Sequence, residues 1–171
     1  MKGQLIENGL FNFFTQCLQE LYCAEKKAIK CFAALSLAAS TEELQHALSS
    51  QSQEAENHIS RLQLIFELLE QQPDPGTCDI IEILSDKAAD IVKTVEAGTS
   101  LRDAAIIYSV QLVAHYKIAS YGSLVSLMKQ IDYPDAEVLL GQCLIEEKNA
   151  DAYLTQIAMN FVNPAAKKES D

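Results

Sequence analysis

Apolar residues recur along this chain at alternating three- and four-residue steps, the spacing that lays a stripe along one side of an α-helix, and the stripes break at a few punctuation points. The first helix is predicted from about Ile6 to Ala39, with Ser40-x-x-Glu43 reading as a capping box for the next. The second runs to about Gln71, where Pro73, Pro75 and Gly76 end it. Thr77 and Asp79 can cap a shorter helix, Cys78 to Glu96, that stops at Gly98. Ser100-x-x-Asp103 opens a third long helix reaching about Gln130, and Asp132 with Pro134 starts a fourth that ends before Asn163-Pro164. Residues 163–171 read as a frayed tail.

Four amphipathic helices of similar length bury their stripes by packing together, so the fold class is all-α, a four-helix bundle in one domain over 1–171 with its core at about 6–162. The second and third long helices are separated by roughly 30 residues while the other connections are short. This predicts one long crossover containing the extra short helix, the topology of ferritin-like bundles.

Composition narrows the functional classes. The 171 residues include only 6 Gly and 4 Pro, too few turns for a many-stranded fold. Thirteen Lys and Arg against 24 Asp and Glu give a formal charge of −11, which repels phosphate backbones and anionic membranes, so neither nucleic acid nor membrane is an expected partner. The N-terminal MKGQLIENGLFNFF lacks the unbroken apolar core of a signal peptide, and the most apolar region, Ala104 to Tyr116, is too short to span a bilayer. A cytoplasmic location is therefore expected. Cys17, Cys23, Cys31, Cys78 and Cys143 contain no C-x-x-C pair, so reduced thiols are expected and neither a zinc site nor a disulfide framework is indicated.

The informative residues are the charges that interrupt the stripes. Helix one reads Phe14, Leu18, Leu21, Glu25, Ala28, Phe32, Leu35, and the fourth long helix reads Ala136, Leu140, Cys143, Glu147, Ala150, Leu154, each with one carboxylate in an apolar line. The third long helix gives Ile107, Val110, Ala114, Lys117, Tyr121, Leu124, so its interruption is a cation. On the second, Ala55, Ile59, Leu62, Phe66 and Leu69 form the main stripe, with Glu54 and His58 on its flank as an i,i+4 pair. All of these lie near the middle of their helices and should meet at one level. Several buried carboxylates need a metal, a cation or shared protons. Glu25, Glu54, His58 and Glu147, with Asp151 one turn further on, are the candidate metal ligands, and Lys117 is the candidate neutralising charge. Taken singly, each acid also reads as a boundary residue whose carboxylate reaches water. Tyr22, Tyr116 and Tyr121 lie near the same level, where packing is the commoner role for a tyrosine.

The segments LQELYCAEKKAIK, RLQLIFELLE, DAAIIYSVQLVAHYKIASYGSL and EVLLGQCLIEEKNADAYLTQIA resemble, in that order, the signature segments of the YciE/YciF family of ferritin-like bacterial stress proteins, from about Leu10 to Asn163. The resemblance implies a ferritin-like bundle that pairs as a homodimer, with a stress or redox association. It also implies a dimetal carboxylate centre in which Glu25, Glu54 and the pair Glu147 and Asp151 are the retained acids. On the third long helix, where the family pattern is V-E-H-Y-E, this chain has Val113-Ala114-His115-Tyr116-Lys117, and both acids are gone. At position 58 the family often carries Gln where this chain has His58.

Two functional readings follow. In the first, the site is degenerate, Lys117 replaces the metals, no cofactor is bound, and the protein is a non-enzymatic structural or interaction component. In the second, Glu25, Glu54, His58, Glu147 and Asp151 hold a divalent iron or manganese ion that serves metal-dependent oxidoreductase chemistry with oxygen or peroxide. No G-x-S-x-G, P-loop or G-x-G-x-x-G motif supports another enzyme class.

Overall fold

In the computed structural model, which describes residues 9–74 and 76–169, every regular element is helical. The long helices are α1 (Gly9–Ala38), α2 (Glu42–Leu68), α4 (Ser100–Met128) and α5 (Pro134–Ile157); α3 (Asp79–Thr94) lies in the crossover. A π-helical turn, Ala158–Val162, leads into α6 (Asn163–Glu169). α1 and α2 form one antiparallel hairpin and α4 and α5 another. Around the bundle the order is α1, α2, α5, α4, with α3 laid across α1 and α4. The fold is thus the expected all-α bundle with one long crossover carrying a short helix.

Its interior is two apolar cores stacked end to end. One gathers Phe32, Leu35, Leu44, Leu48, Ile106, Val110 and Leu154, and the other Phe14, Leu18, Leu62, Phe66, Leu124 and Leu140. The sequence segments that join the two cores on each helix are where the stripe turns polar, so a charged layer sits between them. Burying either core alone stabilises half the bundle at roughly 25 cal/mol per Å² of apolar surface. The layer between must satisfy its charges internally.

The helix ends correct several expectations. The residue preceding α2 is Thr41, whose side chain makes no capping bond, and Ser40-x-x-Glu43 does not close a box. The fully buried Asp103 of α4 does the work instead, its carboxylate accepting from the Ser40 N–H at 2.7 Å and the Thr41 N–H at 3.0 Å. α4 is capped by Thr99, whose hydroxyl accepts from the Arg102 N–H, and Cys78, not Thr77 or Asp79, precedes α3 without a side-chain cap. Arg102 donates to the carbonyls of Val92 and Val95, satisfying the C-terminal end of α3.

Residues 163–169 are ordered helix, not a frayed tail. Pro164 follows directly on the π-helical turn, where the Asn163 N–H bonds to the Ala158 carbonyl five residues back. Glu169 returns to the start of α4, its carboxylate accepting from the Ser100 N–H and hydroxyl, and favoured there by the helix dipole. Residues 170 and 171, like Pro75 and the predicted start of the first helix at 6–8, lie outside the described residues.

The cysteines also depart from expectation: Cys23 and Cys78 form a disulfide across 55 residues of sequence, with Cα atoms 6.0 Å apart. Local spacing holds no sign of it because the crossover brings the partners together. Cys17, Cys31 and Cys143 are free. No helix among the described residues is long and apolar enough to cross a membrane.

Candidate metal centre

Between the two cores, Glu25 of α1, His58 of α2, Lys117 of α4 and Glu147 of α5 meet at one level, and all four are buried. The Lys117 Nζ stands 2.8 Å from Glu25 Oε2 and 2.5 Å from Glu147 Oε1. His58 Nδ1 lies 3.1 Å from Glu25 Oε1 and 3.3 Å from Glu147 Oε1. The Tyr121 hydroxyl, one turn beyond Lys117, donates to Glu25 Oε1 at 2.7 Å. The Phe32 ring lies under the ammonium, 5.6 Å from Nζ to its centroid.

His58 belongs to the core stripe and not to its flank. The buried positions of α2 run Gln51, Ala55, His58, Leu62, Ile65, a three-four alternation that passes through the imidazole, whereas Ile59 is only half-buried. The other ring nitrogen, Nε2, is 2.9 Å from Glu146 Oε2. Glu146 is in turn gripped by both Arg61 terminal nitrogens, at 2.5 and 2.9 Å, in a bidentate pair. Sequence reasoning missed Arg61 and Glu146. Their only signals are Arg61 one turn after His58 and Glu146 beside Glu147, both on half-exposed flanks. Tyr121 does more than pack.

The remaining candidates lie apart from this cluster. Glu54 is half-buried in a groove of about 310 Å³ that it shares with His46, Ser50, Gln51, Asn149 and Tyr153. Burial and the nearby carboxylate of Glu147 raise its pKa. Asp151 faces α4, accepting from Gln111 Nε2 at 3.1 Å and lying 3.3 Å from the exposed His115.

The electrostatics of the cluster close on themselves. Burial alone would raise the Glu25 pKa, but Lys117 and His58 overrule it and hold the carboxyl below its ordinary value. Burial disfavours the charged form of His58, yet the hydrogen bonds to Glu147 and Glu25 push its pKa up to about 9. Lys117 is likewise opposed by burial and held charged by Glu147 and Glu25. At neutral pH two carboxylates therefore face an imidazolium and an ammonium, while Arg61 balances Glu146. The buried Tyr121 phenol is held well above its ordinary pKa by burial and the Glu25 charge, so it remains a donor.

Glu25, His58 and Glu147 each offer one ligand atom within 4.8 Å of the others, so this group can hold a metal ion. As arranged, the donors are already committed: both imidazole nitrogens face carboxylates, and a protonated imidazole cannot ligate. Two ions do not fit. The bridging acid a dimetal centre needs from α4 is absent, since Ala114 and Lys117 occupy the inward positions.

An all-α bundle with a carboxylate-lined midsection defines the class, and comparison with known proteins assigns the family. The chain belongs to the family described as a domain of unknown function, DUF892, whose model matches residues 9–167. It is 35% identical to protein YciF of Escherichia coli (strain K12) over 158 residues, covering 92% of this chain and 95% of that protein. The crystal structure of that stress protein superposes with a TM-score of 0.87 at 34% identity, over 91% of this chain and 98% of the other. YcfI from Rhodopseudomonas palustris, offered as a structural protein, gives 0.85 at 28% identity, covering 89% and 96%.

Proposed function

We propose that this protein is a metal-free, non-enzymatic member of its family, a structural or interaction component in which Lys117 replaces the cations of a dimetal bundle. The observation that carries this reading is the Lys117 ammonium at 2.8 Å from Glu25 and 2.5 Å from Glu147, in a cluster whose charges already sum to zero with His58 protonated. A divalent ion entering there has to expel the His58 proton and displace the Lys117 ammonium, each step working against the same carboxylates that would bind it. The family resemblance adds the expectation of a homodimer, the N-terminal sequence without a signal-peptide core that of a cytoplasmic location, and the stress role of the Escherichia coli relative supports a stress association. Light scattering on the purified chain checks the dimer.

The test is elemental analysis of protein produced with iron, manganese and zinc in excess and purified without chelators. The wild type should carry no stoichiometric metal. Ala114→Glu with Lys117→Glu, which restores two α4 acids, should take up at least one ion per chain. A stoichiometric ion in the wild type would overturn the proposal. It would favour the second reading, in which Glu25, His58 and Glu147 hold one ion for redox chemistry. That reading requires peroxide consumption by the protein to depend on added iron or manganese.

A further inference from the structure

The Cys23–Cys78 disulfide pins the start of α3 to the middle of α1, and its two sulfurs have different surroundings. Cys78 is fully buried, whereas Cys23, 5% exposed, borders an open groove of about 650 Å³ whose other walls are Lys26, Lys27, Lys30, Ile29, Ile59 and Gly76. That volume suits a small molecule. In a chain of charge −11 this groove is a local exception, with three ammonium groups on one and a half turns of α1. Lys26 lies over the Tyr22 ring, 4.7 Å from its centroid, and Lys27 pairs with Glu82 of α3.

We propose that Cys23 is a thiol–disulfide exchange site for a carboxylate-bearing low-molecular-weight thiol of the glutathione class, drawn to the lysine-lined groove. The thiolate attacks the Cys23 sulfur, because Cys23 lines the groove and Cys78 has no exposed surface. The Cys23–Cys78 bond breaks, a mixed disulfide forms on Cys23, and Cys78 leaves as a thiolate that takes a proton from water. A second small thiolate attacks the mixed disulfide at the small thiol's own sulfur, releasing Cys23 as a thiolate and the small molecule as its symmetric disulfide. Two electrons thus pass from two small thiols to one protein disulfide, and the symmetric disulfide reverses the sequence. Cys78 occupies the N-cap of α3, where the unbonded N–H groups of the first turn favour a departing thiolate. Reduction cuts the covalent tie of α3, which among its described residues buries only Ile81 and Ala88, so the crossover is the segment that loosens.

The oxidised full-length protein is treated in parallel with glutathione, neutral 2-mercaptoethanol and cationic cysteamine, each at equal thiolate concentration, then quenched and mapped by mass spectrometry. Glutathione should react faster than cysteamine, and its adduct should appear on the Cys23 peptide. In Lys26→Gln/Lys30→Gln, which leaves the Lys27–Glu82 pair intact, the glutathione-to-cysteamine rate ratio should fall about fivefold. Raising the salt concentration should lower the ratio in the wild type, a readout that needs no variant to fold. In Cys78→Ser, oxidised glutathione should modify Cys23. An adduct on Cys78, a charge-independent rate ratio, or protein that purifies with Cys23 and Cys78 as free thiols would overturn the proposal.

Discussion

Replacing Lys117 with methionine keeps the length of the side chain and removes its charge from between Glu25 and Glu147, 2.8 and 2.5 Å away. The two buried carboxylates then face only the His58 imidazolium, leaving one uncompensated anion. Its cost has a ceiling, because the protein can instead protonate one carboxyl. Raising a glutamate of ordinary pKa, about 4.3, to full protonation at pH 7 costs about 3.7 kcal/mol at 1.36 kcal/mol per unit. Loss of one partner of a buried ion pair typically costs about 3–5 kcal/mol, so the two routes agree on a destabilisation of about 3–4 kcal/mol. For a chain of this size that lowers Tm by about 10 °C. The native variant then binds one proton more than its unfolded chain. Its stability therefore rises by about 1.4 kcal/mol for each unit of acidification between pH 7 and about 5, and it approaches the wild type there. Urea titrations followed by circular dichroism at pH 7, 6 and 5 measure both quantities. Adding Glu147→Gln to the variant should recover most of the loss at pH 7. A loss under about 1 kcal/mol, or one that does not change with pH, would refute the reasoning.

Other perturbations probe the rest of the network. His58 has a folded-state pKa of about 9 against 6.5 unfolded, so its stabilisation is complete below about pH 6.5 and is lost as the pH climbs through 9, by about 3 kcal/mol in all; denaturation between pH 6 and 10 should show this fall, and His58→Gln should remove it. Asp103→Ala strips the acceptor from the Ser40 and Thr41 N–H groups and should cost about 2 kcal/mol in the same assay. Cys78→Ser opens a loop closed across 55 residues and should lower stability by about 4 kcal/mol, with amide hydrogen exchange accelerating first in α3.

The bundle and most of its polar layer were legible because they are encoded by period. Glu25, Lys117 and Glu147 each break an otherwise unbroken three-four stripe, and a residue in a stripe is a residue in the core. His58 was legible as a chemical group but misplaced to the flank, because the run through Ile59 and Phe66 competes with the run through His58 and Ile65 and is the more apolar of the two. What stayed hidden is long-range. The Asp103 cap acts across more than 60 residues, Glu169 caps a helix 69 residues upstream, and Cys23 finds Cys78 across the crossover. Each partner is unremarkable in its own segment. Arg61 and Glu146 were hidden for another reason: half-exposed charges on a flank look like ordinary surface until the imidazole between them is placed.

Anomalous diffraction from crystals of the wild type grown at neutral pH, with manganese and then iron in excess, tests the central claim most directly. The account predicts continuous density for the Lys117 side chain ending between Glu25 and Glu147, with no anomalous peak at that position. A metal peak coordinated by Glu25, His58 and Glu147, with the lysine swung away, would contradict it.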